Sequence, residues 1–202
     1  MTKKIIIRLT ILLTFLVPLC EHALAHPHVF IEQKIEIIFG KQGIEGFNIN
    51  WQFDEMFTSM IIGDYDKNSN GILEENEVIQ IEKEAFSNLS DFSYFTFIKI
   101  DGKVFKIKSI KNFSVSLNNN KLVYNFFIPC SVTATNDFQH IIIDSYDPSY
   151  YSTIIFDNNR LASLNNSKAF EVKINVKEDK STSIYYGQVN PWGMFMVFRI
   201  KQ

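Results

Sequence analysis

The chain has 202 residues, 46% of them hydrophobic, with 20 basic residues against 22 acidic ones and a formal charge of −2. That hydrophobic share is ordinary for a globular domain, and the balance of charge argues against nucleic acid as a partner.

The first twenty-five residues read as a targeting segment. Lys3, Lys4 and Arg8 precede an apolar run from Leu9 to Leu19, and Ala23-Leu24-Ala25 places small residues at both recognition positions of a signal peptidase. The spacing predicts cleavage after Ala25 and export to the periplasm. The apolar run is well short of the ~20 residues that span a bilayer, which argues against an uncleaved anchor. Lipidation at Cys20 is the other alternative, and the large Leu19 just before it is a poor match to that signal. Removing residues 1–25 takes away three basic residues and one acidic one, leaving a formal charge of −4. Cys130 is then the only cysteine, so the exported chain has no internal disulfide and rests on its core. No later apolar run reaches spanning length, and residues 26–202 are expected to form a single β-rich domain outside the bilayer.

Period-two alternation dominates that domain. Val29, Ile31, Ile35, Ile37 and Phe39 share one parity, and Phe47, Ile49 and Trp51 alternate with Asn48, Asn50 and Gln52. Phe113, Val115 and Leu117 repeat the pattern, as do Phe170, Val172, Ile174 and Val176. Asp101-Gly102 and Asn118-Asn119-Asn120 supply hairpin turns. From Phe53 the period changes: Phe53, Met56, Phe57, Met60 and Ile61 fall on one helical face, and Val78, Ile81, Ala85, Phe86 and Leu89 follow as a second helix. The expected fold is mainly β, an antiparallel sandwich with an inserted helix-loop-helix, EF-hand-like unit at about residues 53–91.

Between the two helices stands "DKNSNGILEENE", Asp66 to Glu77, which fits the calcium-loop spacing. Asp66, Asn68 and Asn70 would supply side-chain oxygens, Ile72 a backbone carbonyl, Glu74 a direct or water-mediated ligand, and Glu77 both carboxylate oxygens. Hard Ca²⁺ takes six to eight oxygens, and this spacing winds them around one point. A register starting at Asp64 puts Ser69 at the glycine position and Gly71 where an apolar residue should join the core. The frame starting at Asp66 puts Gly71 and Leu73 there instead. The competing reading is an ordinary Asn70-Gly71 turn, with the acids complementing the positive end of the second helix. With two neutral asparagines and no paired loop, the expected affinity is in the ~10⁻⁴–10⁻³ M class of extracellular modules.

Cleavage after Ala25 would also create a second candidate. The α-amine and ring of His26, with the ring of His28, form a nitrogen set suited to Cu²⁺, Ni²⁺ or Zn²⁺. Pro27 has no amide proton to lose, so a site built on deprotonated backbone amides is excluded. His140, or a carboxylate of "DSYDPSYY", Asp144 or Asp147, would complete the sphere. The alternative treats the histidines as polar lead-in to a strand and Asp147-Pro148 as a turn. No serine sits in a nucleophile elbow, no glycine-rich phosphate loop is present, and Cys130 reads as a buried small hydrophobe. No enzymatic activity is expected.

Together "HPHVFI", "WQFDEMF", "DKNSNG", "DFSYFTF" and "YDPSYY" resemble a bacterial domain-of-unknown-function family, number one thousand and seven. The resemblance implies the periplasmic component of an uncharacterised ABC-type transport system, in a nickel, cobalt or zinc context. Its C-terminal "WGMFMVFRIKQ" has no place in that pattern. Joined to the amino-terminal nitrogen set, that context gives the expected function: a periplasmic accessory protein that binds Ni²⁺, Co²⁺, Zn²⁺ or Cu²⁺ through its amino terminus and works with a membrane metal transporter or permease, with Ca²⁺ stiffening the helical insert. The alternative is a calcium-dependent interaction module without a transition metal.

Overall fold

A computed structural model describes residues 27–157 and 162–202. They form two β-sheets around one core, with a helical insert, in a sandwich-like arrangement.

Strand β1 (Val29–Phe39) pairs antiparallel with β2 (Gly43–Phe53). The parity read from the sequence is the one buried: Val29, Ile31, Ile35, Ile37 and Phe39 all face the core. Chain reversal at Gly40 to Gly43 needs glycine, since Gly43 has φ +147° and an added Cβ would meet the Val132 carbonyl. The chain then leaves β2 into α1 (Glu55–Tyr65), which Asp54 caps by accepting a hydrogen bond from the Phe57 N–H at 2.9 Å. Phe53, read above as the start of this helix, is instead the last residue of β2. The apolar face of α1 is also narrower than its spacing suggests, because Met56 and Met60 are exposed and Ile61 is the buried one. Thr58 fixes the helix to the sheet by accepting the Leu122 N–H at 2.9 Å.

The second helix is not regular. Helix α2 (Glu75–Ile81) runs into a π turn (Glu82–Phe86) and a 3₁₀ segment (Ser87–Phe95). Ile81 and Phe86 are both buried although five residues apart, about 1.4 turns of an α-helix. The wider turn, in which the Ser87 N–H reaches back to the Glu82 carbonyl, brings both onto the core side.

Strands β3 (Thr96–Ile100) and β4 (Lys103–Phe105) are joined by Asp101-Gly102. Strands β5 (Lys111–Asn118) and β6 (Lys121–Thr133) are joined at Asn119-Asn120. All four turn residues have positive φ, which is why Asn, Asp and Gly stand there. Pro129 sits within β6 at the irregularity opposite Ile44 and Gly46, where a missing N–H is tolerated. The remaining strands are β7 (Gln139–Ser145), β8 (Ser152–Phe156), β9 (Ala162–Asn165), β10 (Phe170–Glu178) and β11 (Trp192–Ile200).

One sheet has the order β5-β6-β2-β1-β8, with β9 also pairing β1, and the other the order β10-β11-β7-β3-β4. The expectation of purely antiparallel sheets needs correcting: β1 pairs parallel with both β8 and β9. The 146–151 turn connects β7 of one sheet to β8 of the other, so β8 arrives at β1 from the opposite layer. The C-terminal run "WGMFMVFRI" is β11, between β10 and β7, with Met194, Met196 and Phe198 buried.

The layers are held by aromatic packing and a polar link. Phe39 stacks on Phe170 at 4.8 Å and meets Phe198 edge-on at 5.8 Å, both across the sheets. Gln33, on the apolar parity of β1 and fully buried, donates to Ser145 Oγ at 2.7 Å and accepts from Trp51 Nε1 at 2.8 Å. It therefore joins the two sheets while satisfying the indole.

Candidate metal centre

Helix α1 delivers Asp66 to the start of the loop, and α2 holds Glu77 at its end. The buried Asp66 carboxylate accepts from Asn70 N at 3.2 Å and from Gly71 N at 2.8 Å. Gly71 has φ +76° with open space where a Cβ would stand, so glycine serves conformation rather than room. Asn68 Oδ1 accepts from Asn70 N at 3.0 Å, and Asn70 Oδ1 accepts from Ile72 N at 2.7 Å. Both asparagine amides donate to Glu74 Oε1, at 3.1 and 2.6 Å. Glu77, also buried, accepts from Lys67 N at 2.8 Å and from Glu74 N at 3.0 Å.

The loop thus gathers Asp66, Asn68, Asn70, Glu74 and Glu77 into one hydrogen-bonded group. Hydrogen bonding with Glu77 first, and then with Asn70 and Asn68, holds the Glu74 carboxyl down to about 2. Among the described residues no lysine or arginine forms an ion pair with Asp66, Glu74 or Glu77. Ile72 is exposed, and Leu73 packs against the core, as the Asp66 frame requires. In the conformation described, no three His, Cys, Asp or Glu side chains among the described residues form a group that could hold a metal ion.

The amino-terminal candidates are dispersed. His26 lies outside the described residues. His28 is half-buried; its N–H donates to the Tyr151 carbonyl at 2.8 Å, and its ring lies 4.9 Å from that of Tyr151. Asp147 is at the same end, since Ser152 pairs with Val29. Its carboxylate, however, accepts from Ser149 N at 2.8 Å, Ser149 Oγ at 2.6 Å and Ser152 N at 3.0 Å, which makes it the organiser of the turn. His140 is elsewhere: it is exposed near the start of β7, where its N–H donates to Asp101 Oδ1 at 2.8 Å. Ser145 is five residues further along the strand, about 17 Å at the rise of an extended strand.

Asp144 belongs to a cluster assembled from three distant segments. It is buried on the outer side of the second sheet, 3.6 Å from Lys99 Nζ, which is itself 4.0 Å from Asp179. Burial and then the Asp179 charge push the Asp144 carboxyl up to about 6, against the pull of Lys99. Its Oδ1 is buried with no hydrogen-bond partner. Burial also acts to raise the Asp179 carboxyl, but hydrogen bonds from Ser181 and Thr182 outweigh it and hold that group below its ordinary value. The available signal was a carboxylate directly after the apolar run Ile141-Ile142-Ile143. Cys130 is buried as expected, and burial pushes its thiol up to about 12. Among the described residues no helix is long and apolar enough to cross a membrane.

The family described as protein of unknown function (DUF1007) matches this chain over residues 11–188, which covers both helices, the loop and every strand except β11. The chain belongs to that family. It is 23% identical over 138 residues to an uncharacterised 15.5 kDa protein of the trpE 3′ region of Spirochaeta aurantia. That match covers 68% of this chain and 98% of the relative. It is also 26% identical over 136 residues to an uncharacterised protein of Haemophilus influenzae, covering 66% of this chain and 64% of that protein.

Proposed function

Taking membership of the DUF1007 family as the premise, we propose that the chain is an exported, calcium-stabilised interaction module working beside a membrane transporter. In this reading α1, the loop and α2 form an EF-hand-like unit carried by a β-sandwich. The observation that supports it is the loop geometry: five oxygen-bearing side chains are gathered around one turn, and among the described residues no lysine or arginine forms an ion pair with them. All-oxygen donors suit Ca²⁺. Asn68 and Asn70 now turn their NH₂ groups to Glu74, and rotating each amide would offer its carbonyl oxygen instead. Asp66, Asn68, Asn70, Glu74 and Glu77 would hold the ion with the Ile72 carbonyl, and the ion would fix the angle between α1 and α2. The exposed Met56 and Met60 on α1, with Ile79 on α2, are apolar side chains available to a partner.

A second reading adds a transition metal at the processed amino terminus, bound by the His26 amine and ring and by His28. It draws support from the Tyr151 carbonyl, which fixes His28 beside the Asp147 turn. That reading predicts binding that is lost in His26→Ala and in a chain extended by one residue before His26. Elemental analysis of protein purified from the periplasm with its processed terminus separates the two. Calcium alone supports the interaction module, calcium with nickel, cobalt, zinc or copper supports metal handling, and neither ion sinks both.

A further inference from the structure

A cavity of about 390 Å³ opens between the β1 end of the larger sheet, the helical segment and the 147–152 turn. Trp51, Phe53 and Tyr124 line it from the strands, and Leu89 and Phe92 from the helical side. That volume lies within the ~300–1,000 Å³ range of small-molecule sites. Since an apolar cavity of ~150 Å³ takes up benzene, this one holds on the order of fifteen non-hydrogen atoms.

The polar part of the lining narrows the ligand. Among the described residues Asp147 is the one charged side chain there, with Asn88, Ser149 and Ser152 as polar neighbours. An anionic head group would therefore meet a carboxylate with no cation to pair with.

We propose that this cavity binds a single-chain amphiphile with a neutral or cationic head, its aliphatic chain against Trp51, Leu89 and Phe92 and its head toward Asp147. The site is independent of the calcium reading, because none of Asp66, Asn68, Asn70, Glu74 or Glu77 lines it. The test uses the processed protein in the presence of a calcium chelator, titrated with the neutral fluorophore N-phenyl-1-naphthylamine. The bound probe is then displaced with 1-tetradecanol, tetradecylammonium or tetradecanoate. The expected result is saturable one-to-one fluorescence, displaced by the alcohol and the ammonium and at least about tenfold less well by the carboxylate. Leu89→Trp, which fills the cavity, and Phe92→Asp, at an exposed rim position, each weaken the probe by about tenfold or more while the circular dichroism stays unchanged. The absence of saturable binding, or affinity unaltered in both folded variants, overturns the site and leaves the apolar mouth to an apolar protein segment. Equal displacement by tetradecanoate overturns the assignment of the head group.

Discussion

Two acidic regions of this chain handle negative charge in opposite ways. On the second sheet, Asp144 and Asp179 are both buried, and the fold provides their cation in Lys99. In the 66–77 loop, Asp66, Glu74 and Glu77 are brought together with no lysine or arginine ion pair among the described residues; backbone N–H groups and two amides do the neutralising. The first arrangement supplies a cation of its own, one ammonium shared by two carboxylates. The second has no such cation paired with it among the described residues, and that difference is why the loop and not the buried pair carries the metal proposal.

The largest effect expected from breaking this contrast is at Lys99. Lys99→Met leaves two buried carboxylates without a cation and should cost about 3–5 kcal/mol at pH 8, read by urea unfolding. Adding Asp144→Asn to that variant should recover most of the loss. Little loss in Lys99→Met alone would mean that Lys99 does not stabilise the buried carboxylates.

Next in size is a pH effect. The Asp144 carboxyl is raised in the folded state, so its ionisation opposes folding. The penalty is present in full above about pH 6, shrinks as pH falls through that value, and is gone near the ordinary carboxylate range. Asp179 works in the other direction: its lowered carboxyl adds stability above the ordinary range and loses it as pH falls below. Stability should therefore rise by about 2 kcal/mol as pH falls from 7 toward 4.5, and Asp144→Asn should flatten that rise. A wild-type profile that is already flat would contradict the assignment.

Calcium should act on a similar scale. At about 10 mM Ca²⁺ a site in the ~10⁻⁴–10⁻³ M class adds about 1.4–2.7 kcal/mol. For a domain of this size that is a rise of roughly 3–10 °C in Tm. Lys99→Met should leave the increment intact, since its cluster is separate from the loop, whereas Asp66→Asn should reduce it. The smallest effect is at His28. His28→Ala should change stability by about 0.5 kcal/mol or less, because its backbone N–H bond to Tyr151 survives the substitution. Any change in retained nickel, zinc or copper in that variant would then report on metal binding alone.

Much of the fold was legible because alternation records burial directly. Every apolar position counted on β1 and on Phe47, Ile49 and Trp51 of β2 is buried, and both predicted hairpin turns carry the positive φ that their Asn, Asp and Gly residues suggest. Gln33 was legible in principle, as a polar residue on the apolar parity of β1; its burial between Trp51 and Ser145 explains the interruption. The parallel pairing of β1 with β8 and β9 was not legible, because alternation gives the face of a strand and says nothing of its neighbour. The π turn escaped for a related reason: one extra residue in a turn alters which side chains share a face without altering the composition. In the candidate sites, the loop ligands are contiguous in sequence and could be read from spacing. The Lys99, Asp144 and Asp179 cluster joins three distant segments and could only be seen in the folded chain.

The most direct test of the calcium account is isothermal titration, with Ca²⁺, of metal-stripped protein beginning at His26, alongside Glu77→Gln. The account predicts one ion per chain with a Kd of about 10⁻⁴–10⁻³ M, and at least about tenfold weaker binding in the variant. No binding heat up to about 10 mM Ca²⁺, or equal binding by Glu77→Gln, would contradict it.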